Sequence, residues 1–232
     1  MTAHSSEYDE MIKAVVVDID GTITDSKRMI QPQGIEALRQ VQQKGVAVML
    51  SSGNVLPITF GLSIFIGLKG PVIAENGGVV SFKENVYKLN SNTLPVRAYD
   101  YLKTKVEVER LFTDRWRESE VALKRTADPK IIEEILKGWS VVIETTGFAI
   151  HIMELGHSKM NGVRKASELI GIDTKDIAAF GDSDNDVSML QDCGVGIAVA
   201  NASPAAKMAA KYVCREPHAD GVIEGLRWLG LL

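Results

Sequence analysis

The sequence predicts an α/β fold: a doubly wound parallel sheet interrupted by a smaller α+β insertion. Three observations predict it. Short apolar runs without polar alternation read as strands covered on both faces, and helical segments separate them. A middle stretch with an alternating, hairpin-like rhythm breaks that grammar. The first element is Lys13-Ala14-Val15-Val16-Val17, β-branched and unbroken. Pro32 then opens a helix with Ile35, Leu38 and Val41 on one face, and Gly45 stands where a left-handed cap ends it. Val46-Ala47-Val48-Met49-Leu50 repeats the strand signal, a helix follows over 55–67, and Pro71-Val72-Ile73-Ala74 gives a third run. Later come Ile177-Ala178-Ala179-Phe180, a run over 195–199 and Tyr212-Val213-Cys214, with a closing helix near 222–229. Alternation of strand and helix means a parallel sheet.

The middle stretch predicts strands over 86–89 and 121–126, then a Thr146-Gly147 turn joining two alternating runs. Two helices fit between them, one over 95–112 and one capped by Asp128 with Pro129 at its first position. The chain therefore divides into a loose tail at 1–10, a discontinuous α/β core at 11–80 and 156–232, and an α+β insertion at 81–155.

Composition bounds the function. With 45% hydrophobic and 24% charged residues and 7 Pro in 232, the chain is globular rather than disordered. A formal charge of −4 leaves no basic surface for nucleic acid or anionic lipid, so neither is expected as a partner. Cys193 and Cys214 form no C-x-x-C pair and suit a reducing compartment. Residues 1–10 lack a secretory pattern and no long apolar span occurs, so a cytoplasmic location is expected.

Chemistry concentrates at strand ends. Asp18-Ile19-Asp20-Gly21-Thr22 places two carboxylates at the carboxyl end of the first strand, where open α/β sheets bind ligands. Their repulsion calls for a cation or hydrogen bonds. Gly181-Asp182-Ser183-Asp184-Asn185-Asp186 repeats the pattern after a later strand, and an oxygen-rich site with substrate phosphate suits Mg²⁺. An EF-hand loop fails on spacing, because Val187 replaces the turn glycine and Cys193 the bidentate glutamate. Ser51-Ser52-Gly53-Asn54 precedes a helix N-terminus, which favours anions. Lys159 opens another helix, where a cation is out of place unless a phosphate lies nearby.

These four segments, in this order, resemble the haloacid dehalogenase superfamily of phosphohydrolases over nearly the whole chain from Met11. The resemblance implies a Rossmann-like core with a C2-type cap, near the archaeal-type phosphoglycolate phosphatases and the Cof-type sugar-phosphate phosphatases. It implies Asp18 as nucleophile and Asp20 as general acid and base. It also implies a Mg²⁺ site of Asp18, the Asp20 carbonyl, Asp182 and Asp186, with Ser52, Gly53, Lys159 and Asn185 around the phosphoryl group. One departure is Asn54, where many relatives carry Arg. Glu75-Asn76-Gly77-Gly78 would lie at the hinge into the cap.

The expected substrate is a small phosphate ester, with 2-phosphoglycolate first and a sugar-phosphate phosphatase or phosphomutase as the alternative. A receiver-type phosphoacceptor module is the outsider; it is shorter and carries no inserted lid. Oligomeric state stays open, a homodimer among the options. His4 and His218 read as surface or structural residues, His151 as a strand residue facing the cap-core crevice, and Arg115, Arg117, Lys124 and Arg125 as solvated.

Overall fold

The computed structural model describes residues 12–232; the tail expected at 1–10 lies outside the described residues. The core carries strands β1 (Ala14–Asp18), β2 (Ala47–Ser51), β3 (Val72–Ala74), β4 (Val79–Phe82) and β5 (Asn85–Lys88) from its first half. Its second half supplies β9 (Ile177–Gly181), β10 (Val195–Ala198) and β11 (Tyr212–Val213), and the eight form one sheet in the order β11-β10-β9-β1-β2-β3-β4-β5. Pairings from β11 to β3 are parallel, whereas β4 and β5 add antiparallel. The chain winds outward from β1 through β2 and β3, then returns to β9 on the other side. The crevice between β1 and β9 is thus the switch point at which such sheets bind ligands.

Burial on both faces explains the unbroken apolar runs. Val15 and Val17 pack with Leu38 and Val41 of α1 (Pro32–Gln43) and with Val222 and Leu226 of α8 (His218–Trp228). Ala14 and Val16 face the other way, onto Met160 and Val163 of α5 (Lys159–Ile170) and Met189 of α6 (Val187–Asp192). The remaining core helices are α2 (Leu56–Ile66), ended by left-handed Gly67, and α7 (Pro204–Ala209). Among the described residues, no helix is long and apolar enough to cross a membrane.

The insertion forms a second sheet, β6 (Glu120–Leu123), β8 (Ile150–Glu154) and β7 (Val141–Thr145), antiparallel in the order β6-β8-β7. Helices α3 (Thr93–Leu102) and α4 (Pro129–Ile135) cover one face through Ala98, Leu102 and Ile132 on Val121, Leu123, Ile150 and Ile152. Strand alternation sends Glu120 and His151 to the opposite face, toward the core. There Asn76 donates to Glu120 Oε2 at 2.9 Å, and His151 Nδ1 lies 2.9 Å from Glu120 Oε1. Burial would raise the Glu120 carboxyl, but His151 and Arg117 outweigh it and hold it down to about 2. Arg117, expected on the solvated surface, is instead buried against Glu120, because that carboxylate needs a cation in the interior.

Two elements depart from the sequence reading. The strand expected at 86–89 belongs to the large sheet, which carries the core past the boundary drawn at residue 80. A two-residue turn at Lys83 and Glu84, with φ of 49° and 65°, folds β5 back on β4 without the glycine or asparagine that normally marks such turns. The helix expected over 95–112 stops at Leu102, and Arg110 bridges to Leu123 in extended form. Alternating Val106 and Val108 disfavour helix there. A 3-10 turn, Phe112–Trp116, leads into β6.

The positive-φ turn generates a stability prediction. Replacing Lys83 by Asn and Glu84 by Gly relieves two left-handed side chains and is expected to stabilise the fold by about 0.5–1 kcal/mol, net of glycine entropy. A urea midpoint that is unchanged or lower would contradict the turn assignment.

Candidate active site

The site grows from the carboxyl ends of β1, β2 and β9. Asp18 is the last residue of β1 and is buried, a costly position for a carboxylate. Its Oδ1 accepts from Lys159 Nζ at 2.5 Å, while Oδ2 has no partner. Lys159, first residue of α5 and 1% exposed, also donates to Asp186 Oδ1 at 2.6 Å. Burial alone would lower the lysine, but the charges of Asp18 and Asp186 prevail and raise its pKa. Asp186 Oδ2 accepts from the backbone N–H groups of Asp182 and Ser183 at 2.9 and 3.0 Å, which fixes the loop after β9.

After Asp18 the chain turns tightly, with Ile23 and Thr24 N–H both donating to the Ile19 carbonyl. Gly21 adopts φ of 94°, and a Cβ there would fall 2.3 Å from Asp182 Oδ2. Only glycine lets the two acidic loops approach so closely. Asp20 projects from this turn, and Asn54 Nδ2 donates to its Oδ2 at 2.6 Å. Ser52 Oγ, 3.4 Å from the same oxygen, also accepts from the Asn54 N–H. Asn54, the point of departure noted in the sequence, thus makes its own contact on Asp20.

Asp18, Asp182 and Asp186 each offer one oxygen, all within 4.8 Å of one another. Burial pushes the Asp18 carboxyl well above its ordinary value against the pull of Lys159, and burial with the neighbouring Asp186 pushes Asp182 up to about 7. One ammonium faces three carboxylates, so the cluster carries surplus negative charge. The oxygen-only donor set, with more negative charge than one ammonium offsets, fits a hard divalent cation such as Mg²⁺. The Asp20 carboxylate lies outside this trio, engaged by Asn54 and Arg28.

These groups open on a cavity of about 380 Å³, to which Asp18, Asp20, Gly53, Asp182 and Asn185 contribute from the core. Thr146, Gly147 and Phe148 close it from the β7–β8 turn. Ser52 is fully buried behind Gly53, so the glycine rather than the serine forms the wall. Asn185 Nδ2 donates to Asn76 Oδ1 at 2.9 Å, and Asn76 in turn holds Glu120. His151 Nε2 lies 3.1 Å from Thr146 Oγ1, which completes a polar chain from the β9 loop to the lid. At the hinge, Glu75, Asn76 and Gly77 all take positive φ, and the Glu75 carboxylate accepts from the N–H groups of Glu118 and Ser119.

The sequence singled out the acidic loops and Lys159, read Thr146 only as a turn residue, and passed over Arg28, Phe148 and Glu120, which reach the cavity or its supports only through tertiary contact. The β8 alternation was the one signal available for His151. His218, read as surface or structural, is structural here: its Nδ1 donates to the Gly21 carbonyl at 2.8 Å.

Known proteins match this chain across nearly its whole length. A phosphoglycolate phosphatase of Methanothermobacter thermautotrophicus is 37% identical over 216 residues, covering 93% of this chain and 98% of that protein. One from Archaeoglobus fulgidus is 39% identical over 223 residues, covering 95% and 98%. The crystal structure of Thermoplasma acidophilum 0175 superposes with a TM-score of 0.89 at 30% identity, covering 96% and 100%. The sequence profile of haloacid dehalogenase-like hydrolases matches residues 15–114 and 117–226, and the chain belongs to that family.

Proposed function

We propose that this protein is a Mg²⁺-dependent phosphomonoesterase that hydrolyses 2-phosphoglycolate to glycolate and phosphate through an aspartyl-phosphate. One observation carries the mechanism: Lys159 holds Asp18 Oδ1 and leaves Oδ2 unpartnered at the cavity. Names of relatives above 35% identity support the substrate.

In this reading Asp18 Oδ2 attacks phosphorus, the bond to the leaving oxygen breaks, and Asp20 gives that oxygen its proton. Water then attacks the aspartyl-phosphate, giving its proton to Asp20 and releasing phosphate with Asp18 restored. When bound at Asp18, Asp182 and Asp186, Mg²⁺ would offset the repulsion between the nucleophile and the phosphoryl oxygens. Lys159 contributes a fixed charge on the same side, and the Gly53 loop with Asn185 bounds the phosphoryl pocket. Asp20 suits both proton transfers because Asn54 fixes its orientation.

Three outcomes follow. Asp18→Asn lowers kcat by at least about 10³-fold with the fold intact by circular dichroism, whereas phosphate release at the parent rate would remove Asp18 from the role. Because Asp182 is raised to about 7, a cation binding there must displace a proton at lower pH. The Mg²⁺ concentration for half-maximal activity should therefore climb as pH falls below 7, by up to about tenfold per unit, and level off above it. Finally, kcat/KM for 2-phosphoglycolate should exceed that for hexose phosphates; a hexose phosphate preferred about tenfold, or about 1.4 kcal/mol, would overturn the substrate and keep the mechanism.

A further inference from the structure

We propose that Arg28 selects the substrate by binding a second anionic group, a carboxylate carried on the leaving side of the phosphate ester. The inference rests on the phosphatase reading above and names a residue and a chemistry which that reading leaves open.

The cavity wall is acidic: Asp18, Asp20, Asp25 and Asp182 all contribute to it, and among the described residues Arg28 is its one lysine or arginine. A second anionic group on the substrate finds its guanidinium partner there, while the Lys159 ammonium is already engaged by Asp18 and Asp186. The side chain is also placed for the task. Arg28 Nε donates to Asp20 Oδ1 at 2.8 Å, and the guanidinium lies over the Phe148 ring at 4.4 Å from its centroid. One N–H of five is thus used, and one face is covered by the lid. Both terminal nitrogens have no hydrogen-bond partner among the described residues. A guanidinium stacked on an aromatic ring keeps its edge open, and that edge pairs with a carboxylate through two parallel hydrogen bonds.

The contact with Asp20 sets the size of the leaving group. If Asp20 protonates the leaving oxygen, a carboxylate on Arg28 must sit a short distance beyond that oxygen, because the two side chains are one hydrogen bond apart. A two-carbon hydroxy acid places its carboxylate two bonds from the ester oxygen and meets that requirement. Gly147 and Phe148 line the cavity on the lid side, with the Phe148 ring beside the guanidinium. The loop itself is built to present the residue. Asp25 Oδ1 accepts from the N–H groups of Lys27 and Met29, and Arg28 adopts φ of 61°, a strained conformation for a side chain of its size. The arginine side chain is 50% exposed, so that conformation is not needed to fill the interior.

The test compares two esters with the same two-carbon chain, 2-phosphoglycolate and ethyl phosphate, which differ in the carboxylate, in the parent protein, R28Q and R28K. The readout is the ratio of kcat/KM values, which cancels any effect of the substitution on Asp20 itself. We expect a large ratio in the parent, a fall of about 10–100-fold in R28Q, and an intermediate value in R28K, which keeps the charge but loses the fork. A high parent ratio that survives in R28Q, with both esters slowed equally, overturns the role of Arg28 and leaves the substrate reading standing. A parent ratio near one overturns both together.

Discussion

The site depends on one buried ammonium. Lys159 lies between Asp18 and Asp186 with almost no solvent contact, and it ties the start of α5 to the ends of β1 and β9. Removing one member of a buried ion pair typically costs about 3–5 kcal/mol, because the survivor is left charged in a poorly polarisable interior. The same arrangement decides the chemistry. By occupying one oxygen of each carboxylate, the lysine fixes their rotamers and leaves Asp18 Oδ2 directed to whatever enters the cavity. Stability and reactivity are two readings of a single constraint: three carboxylates are held together by less positive charge than they carry.

The core was legible because its strands are buried on both faces, so apolar runs announce them without tertiary knowledge. Asp18 and Asp182 were legible for the converse reason, since carboxylates directly after such runs have no structural use. Lys159 stood out by sitting at the wrong end of a helix for its charge. What stayed hidden was set by partners far along the chain. Lys83 and Glu84 make a turn usually written with glycine or asparagine, so β5 was placed in the wrong sheet. Arg117 resembles any exposed arginine until Glu120 is seen beside it. Arg28 lies in a charged, exposed loop, and only its approach to Asp20 and Phe148 separates it from its neighbours.

The lid is joined to the core by polar groups rather than apolar ones. Asn185, Asn76, Glu120, His151 and Thr146 form a continuous chain whose crossing link, Asn76 to Glu120, is made only when lid and core meet in this register. Apolar surfaces tolerate sliding, whereas hydrogen-bonded networks in a low-dielectric interior do not. The hinge reinforces this, because three successive residues in the left-handed region leave little torsional freedom, and the Glu75 carboxylate anchors the turn to the backbone at 118–119. The cavity roof is therefore located by geometry that the core itself supplies.

The sheet order has a consequence for how the molecule comes into being. β1 pairs on one side with β2, a near neighbour in sequence, and on the other with β9, so that Lys13 and Asp176, 163 positions apart, form an ion pair across the seam. During synthesis β1 waits with an open edge until the whole lid has been made. Long-range parallel pairing of this kind is slow, because loop-closure entropy is lost before the contacts form. Asp18 emerges early while Lys159, Asp182 and Asp186 arrive together much later, so the unpaired carboxylates meet their counter-charge only as the sheet closes. A chain ending before Ile177 has neither the strand nor the acidic loop that packs beside Asp18, so the carboxylate cluster is assembled only once both are made.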